Sequence, residues 1–301
     1  MAVHLMKGGH EVFVVDVWQE HLAAILQDGI FLAGLREEQA KVSGGFNRIS
    51  ALATVKPAVV VLAVKACLLP RILPEVGAIL DPAATVVSFQ NGLDTAELIA
   101  QTLSEHRIFR VVINYAGSIV SPGRIHMSFF HQPNHIGCVC QTKDCHHADE
   151  LADILTAAAL ETRAEADIKH YEWEKTIRNA VLSPVSAVTG LTMSAVMAGT
   201  HTAQLVADLL EECIAVASKN GYDFGADFFT ACWEYLRKAG PHKPSMLVDI
   251  ENKRETEIDF MNGRIAHYAA LAHVPAPLNE TFTRLVKALE QRSEAVVPVM
   301  A

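Results

Sequence analysis

The chain has 301 residues, a formal net charge of −9 and no cluster of Lys or Arg, so charge excludes nucleic acid and anionic membranes as partners. Half of its residues are hydrophobic, which excludes a disordered chain, and no apolar run approaches the ~18 residues needed to cross a bilayer. The six cysteines are scattered along a chain long enough to fold without disulfides and read as reduced thiols. With no charged-then-apolar signal pattern at the start, the expected location is the cytoplasm.

In chain order, Ala2 to His10 reads as the tail of a helix stopped by Gly8-Gly9. Val12-Phe13-Val14-Val15 then predicts a strand ending in Asp16. An apolar strand ending in an acid is how a dinucleotide fold reaches an adenosine ribose. The acid lies about 20 residues beyond a Gly-rich turn that holds the pyrophosphate at a helix N-terminus. That turn would fall before Met1, so the expectation is a nucleotide-binding unit whose first strand and Gly-rich loop are missing.

Val59 to Val64 is a continuous apolar run, the pattern of a strand buried on both faces. Leu69 to Leu80 reads as helical despite two prolines. Thr85 to Phe89 is the next strand, ended by Gln90-Asn91-Gly92, and Thr95 to Leu103 is helical again. Ile108 to Ile113 is a further strand. Tyr115 to Val120 and Arg124 to Phe129 flank Pro122-Gly123 as a hairpin appended to the same sheet. Cys138, Cys140, Cys145, His146 and His147 lack the spaced pairs of a structural zinc site. They read as a strand edge and a helix start, and no metal is expected.

After Ile168 the strand patterns vanish. Tyr171 to Val188, His201 to Asn220, Phe228 to Ala239, Asp259 to His273 and Asn279 to Glu290 all carry helical periodicity. The expected fold is therefore α/β: a Rossmann-like N-terminal domain, first strand missing, over residues 1–167, followed by an all-α domain over 168–301.

Ligands of open α/β sheets bind outside the carboxyl ends of the strands. Lys65 and Asn91 stand at two such ends. Taken alone, Lys65 reads rather as a solvated loop lysine and Asn91 as a turn residue before Gly92. Together, at equivalent positions, they read as a site. On the first long helix Lys175, Asn179 and Ser183 recur every four residues and share one face among apolar Ile177, Ala180, Val181 and Leu182. That stripe is either a solvated face, which helices normally have, or a face turned into a cleft. A lysine partly withdrawn from water gives up its proton more readily and suits a proton donor. Ser245 is placed to cap a helix. Thr256-Glu257-Ile258-Asp259 fits a capping box, with Glu257 in a first helical turn.

Val64-Lys65-Ala66, Gln90-Asn91-Gly92, Lys175 to Asn179, Pro244-Ser245-Met246 and Thr256 to Gly263 occur in one order along the chain, through Val274 to Glu280. In that order and spacing the chain resembles the ketopantoate reductase family. The resemblance implies reduction of a small-molecule 2-oxo acid to a 2-hydroxy acid with NADPH, a reaction of pantothenate biosynthesis. It also implies a Rossmann-like domain and a helical domain through which a homodimer forms. By position, Lys175 is implied as general acid and Glu257 as a second catalytic group lining the cleft near cofactor and substrate. Asn179, Ser183 and Ser245 are implied to hold the substrate. Asn91 is implied where nicotinamide meets substrate, and Lys65 beside the cofactor.

Three departures qualify the resemblance. The Gly-rich loop is absent. Ser183 stands where the family usually has a second substrate asparagine, and Met193 where some members place a polar contact, which argues for a different 2-oxo acid. Asp16-Val17 stands where NADPH users often place Arg; a carboxylate repels a 2′-phosphate and leans toward NADH, unless Lys65 compensates. The alternatives are a catalytically silent cofactor-fold scaffold, left by loss of the phosphate-binding loop, and a related hydroxy-acid dehydrogenase with another substrate.

Overall fold

The computed structural model describes residues 1–104, 107–139 and 147–294; Cys140, Cys145 and His146 lie outside these. Among the described residues the strands are β1 (Phe13–Val15), β2 (Ile30–Gly34), β3 (Glu38–Ala40), β4 (Gly44–Phe46), β5 (Val59–Leu62), β6 (Thr85–Ser88), β7 (Arg107–Val112), β8 (Tyr115–Ser121), β9 (Arg124–Phe130), β10 (Asn134–Cys138) and β11 (Thr162–Ala164). The α-helices are α1 (Ala2–Lys7), α2 (Gln19–Asp28), α3 (Leu69–Ile79), α4 (Thr95–Thr102), α5 (His147–Ala157), α6 (Ile168–Thr189), α7 (Met193–Ala198), α8 (Thr200–Lys219), α9 (Phe228–Arg237), α10 (Ser245–Glu251), α11 (Asn262–Leu271) and α12 (Pro277–Glu294). They fall into two compact units. The first comprises Met1–Ala63, Leu69–Phe89 and Ala96–Ile168; the second comprises Val64–Leu68, Gln90–Thr95 and the chain from Lys169.

In the first unit, β5, β6 and β7 run parallel, β10 joins β7 antiparallel, and β11 closes the five-stranded sheet in the order β11-β10-β7-β6-β5. Val87, Phe109, Val111 and Ile136 from this sheet form one apolar core with Ala148 and Ala152 of α5. The Val59–Val64 run was expected to be buried on both faces. It is an edge strand of this sheet, ends at Leu62, and leaves Val59 42% exposed, because only β6 pairs with it. The hairpin around Pro122-Gly123 forms as β8 and β9, but not in the sheet expected for it. It pairs through β9 with β2, in a separate four-stranded sheet of order β3-β2-β9-β8.

β1 and β4 make a parallel pair of their own. β4 has no strand-like sequence, since two of its three residues are glycine. A Cβ on Gly45 would lie 2.8 Å from Leu22 Cδ1 of α2, so a side chain there would require Leu22 to shift.

The second unit is helical, as its periodicity indicated. Its core joins α6, α8, α11 and α12 through Trp173, Ile177, Val181, Leu209, Leu210, Ile265 and Val286, all 0% exposed, with Cys232 of α9 and Met246 of α10 buried in it as well. Each such Leu, Ile or Val contributes about 1.5–3 kcal/mol of burial. Leu93, from the short segment Gln90–Thr95, is buried in the same core.

Helix α6 contains Pro184. A proline has no N–H, so the carbonyl four residues back, that of Ala180, loses its helical donor. Buried Asn262 fills the gap: its Nδ2 donates to Ala180 O and to Asn279 Oδ1, both at 2.9 Å. Asn279 in turn donates from Nδ2 to Glu212 Oε1 at 2.8 Å. Glu212, from α8, also accepts from the Leu278 and Asn279 backbone N–H groups at 3.0 and 2.7 Å. These are N–H groups in the first turn of α12 that have no partner within their own helix.

Candidate active site

Two short segments carry the polar groups that follow β5 and β6, and both belong to the helical unit. In the first, Lys65 pairs with Asp249 of α10, a carboxylate only 3% exposed, whose Oδ1 also meets Arg254 at 3.2 Å. In the second, Asn91 Nδ2 donates to Glu257 Oε2 at 3.3 Å. The other oxygen of the same carboxylate, Oε1, accepts from Ala66 N at 3.2 Å. Glu257 is buried, and its two oxygens are divided between the two segments. One side chain thus sets the spacing between the peptide after Lys65 and the amide of Asn91.

This corrects the capping-box expectation. Thr256 Oγ1 does accept from Ile258 N at 3.2 Å, but Glu257 occupies the N-cap position of the short 3-10 turn Ile258–Phe260 and makes no capping bond with its side chain. Its carboxylate serves residues distant in sequence instead. Ser245 is likewise not an N-cap: Pro244 holds that position, and Ser245 is the first residue of α10 with an exposed side chain.

The Asn91 segment is held close to the same turn. Gly92 has φ +98°, and a Cβ there would lie 2.5 Å from Phe260 O; Leu93 N donates to that carbonyl at 2.8 Å. Glycine is required both for the backbone conformation and for the approach.

On α6, Lys175 and Asn179 are half-buried and Ser183 is 7% exposed. The stripe is therefore not a freely solvated face. Met193, at the start of α7, packs partly buried against the helical core. Cys67 lies beside Lys65, and burial, reinforced by the charges of Glu255 and Glu257, pushes its thiol up to about 11. A thiol that remains protonated is a poor nucleophile.

Asp16 lies in the first unit, at the carboxyl end of β1. Its N–H donates to Phe46 O at 3.1 Å, extending the β1–β4 ladder, and its Oδ1 accepts from Trp18 N at 2.8 Å. The structure thus ties Asn91 to Glu257, pairs Lys65 with Asp249 instead, and puts Lys175, Asn179, Ser183 and Ser245 in the same unit, with Asp16 in the other. The sequence reading assigned no role to Asp249. Its signal was available: it stands four residues after Ser245, one turn along the same helix.

The chain matches two family models. One is described as ketopantoate reductase PanE/ApbA, over residues 1–141, and the other as ketopantoate reductase PanE/ApbA C terminal, over residues 167–290. It is 26% identical over 291 residues to a 2-dehydropantoate 2-reductase of Streptococcus pyogenes serotype M18, covering 95% of this chain and 92% of that one. Among solved structures it is similar to a PanE/ApbA family ketopantoate reductase from Ralstonia eutropha JMP134, with a TM-score of 0.86 and 25% identity, over 97% and 95% of the two chains. A D-mandelate dehydrogenase crystallised with NADH and anilino(oxo)acetate shares the fold at a TM-score of 0.85 and 22% identity, over 97% and 95% of the chains.

Proposed function

This chain belongs to the ketopantoate reductase family, and we propose that it reduces a 2-oxo acid to a 2-hydroxy acid with NAD(P)H, Lys175 acting as proton donor. The observation that carries this reading is the carboxylate of Glu257 joining Ala66 N and Asn91 Nδ2, in the unit that also holds the Lys175 stripe.

The cofactor fits the residues present at its ribose end. Asp16 offers a half-buried carboxylate at the end of a parallel strand, the group that ribose hydroxyls require. Its charge opposes a 2′-phosphate. Lys65 gives little compensation, since its ammonium is already met by Asp249. Both points favour NADH. Bound nicotinamide would supply the hydride.

The chain's own residues do the rest. As the carbonyl carbon is reduced, its oxygen becomes an alkoxide, and the Lys175 ammonium gives it a proton. A donor fixed on a rigid helix and half withdrawn from water needs little rearrangement for that transfer. Asn179, Ser183 and Ser245 supply amide and hydroxyl donors for the substrate carboxylate. Glu257 accepts from the Asn91 amide and so fixes how Asn91 is presented. Ser183, shorter than an asparagine, leaves room on that face and favours a 2-oxo acid bulkier than ketopantoate at that point. The proposal includes a homodimer formed through the helical unit, which exposes Leu271, Leu285 and Tyr235; light scattering reads its mass.

The test follows nicotinamide absorbance with the purified chain, both cofactors and a panel of 2-oxo acids. Lys175→Ala is expected to lower kcat by ~10² or more, the usual scale for a lost general acid. A variant as fast as the parent removes Lys175 from the chemistry. No turnover with any acid overturns the reductase reading in favour of a silent cofactor-fold scaffold.

A further inference from the structure

We propose that Asp94 is a positioning residue that holds Asn91 for catalysis, an inference that rests on the reductase reading above. Asp94 closes the short peptide that starts at Asn91. Its backbone is left-handed, at φ +63°, a conformation that Asp and Asn tolerate better than most residues. Such a residue persists only where its surroundings hold it.

Here three side chains converge on it. Asp94 Oδ1 accepts from Tyr268 Oη at 2.8 Å and pairs with Lys169, and its Oδ2 meets Arg264 Nε at 3.3 Å. Lys169 also meets Glu172 Oε2 at 2.7 Å, and Asp94 N approaches the same Glu172 oxygen at 3.5 Å. The partners come from α6 and α11, and the Asp94 and Lys169 side chains are only 15% and 16% exposed. The short peptide is held along its length: Asn91 by Glu257, Leu93 N by the Phe260 carbonyl, against which Gly92 packs too closely for a Cβ, and Asp94 by this network. Without the Asp94 carboxylate, Tyr268, Lys169 and Arg264 lose their shared acceptor, and the left-handed end of the peptide loses its side-chain ties to α6 and α11. The Asn91 amide then loses its fixed position.

The experiment is a double-mutant cycle on 2-oxo acid reduction. Asp94→Asn keeps the backbone tolerance and the acceptor for Tyr268 but removes the charge; Asp94→Ala removes both. A misplacement of about 1 Å costs on the order of 10²-fold, so kcat/KM for the acid is expected to fall ~10-fold in Asp94→Asn and ~10²-fold in Asp94→Ala. In an Asn91→Ala background the same substitutions are expected to cost less than ~2-fold, because the group they position is gone. Losses that multiply with Asn91→Ala overturn the proposal, as does a drop in kcat alone that tracks the folded fraction. If Asp94→Ala does not fold, Asp94→Asn carries the cycle by itself. An inactive parent chain defeats the reductase reading and this proposal with it. An active parent with a multiplicative cycle defeats only the role of Asp94.

Discussion

Asn262→Ala offers a direct measure of how a proline is accommodated in the helix that carries the proposed proton donor. The side chain is 0% exposed and donates to two buried acceptors, Ala180 O and Asn279 Oδ1, each at 2.9 Å. Leaving a buried acceptor unpaired costs about 1–3 kcal/mol. Asn279 Oδ1 keeps a weak neighbour in Cys213 Sγ at 3.6 Å, so its loss falls at the low end. The total expected is about 3 kcal/mol, read as a lower denaturant midpoint at unchanged slope, followed by the fluorescence of buried Trp173. Pro184→Ala supplies the test of cause, because alanine brings an N–H back to the Ala180 carbonyl. In the Asn262→Ala background it should restore about 1–2 kcal/mol, the net worth of one hydrogen bond plus relief of the proline clash. In the parent chain, where Asn262 already fills that carbonyl, the gain should be smaller by about 1 kcal/mol. Equal effects of Pro184→Ala in the two backgrounds would refute the idea that Asn262 substitutes for the missing helical donor.

Three further outcomes are expected. Asp16→Ala should narrow the ratio of NADH to NADPH affinities, measured by titration of each cofactor; an unchanged ratio detaches Asp16 from the ribose. Gly92→Ala should cost both stability and turnover, since its Cβ would sit 2.5 Å from Phe260 O at φ +98°; a variant with parental melting temperature and rate shows that the 90–95 segment can shift at no cost. Burial pushes the Cys213 thiol up to about 12 from an ordinary 9.0. Between those values the unfolded thiol ionises while the folded one keeps its proton, so the folded state binds more protons and its stability falls as pH rises. Unfolding free energies across that window should fall less steeply in Cys213→Ala than in the parent.

The helices of the second unit were legible because 3.6-residue periodicity is local. The Tyr171–Val188 pattern appears as α6, and the Asn279–Glu290 pattern as α12, which begins earlier at Pro277. Sheet membership was not legible. The Pro122-Gly123 hairpin is local, but its pairing with β2 joins residues some ninety positions apart, such as Phe31 and Arg124, and nothing in either strand announces the other. The candidate site divides the same way. The Lys175, Asn179 and Ser183 stripe was readable from spacing. Glu257 was misread as a local cap because its partners, Ala66 and Asn91, lie 191 and 166 residues away. Lys65 was read as a strand-end cation without its partner Asp249, 184 residues on. Charge pairs across that distance leave no periodic trace.

Assembly of the helical body from three stretches of chain bears on how relatives of this protein can be recombined. A chimera joined near residue 168 would take Lys65, Asn91 and Leu93 from one parent, and Asp249, Glu257 and the pocket that receives Leu93 from the other. Swapping the helical body intact requires transplanting Val64–Leu68 and Gln90–Thr95 along with it, so workable hybrids need five junctions in place of one.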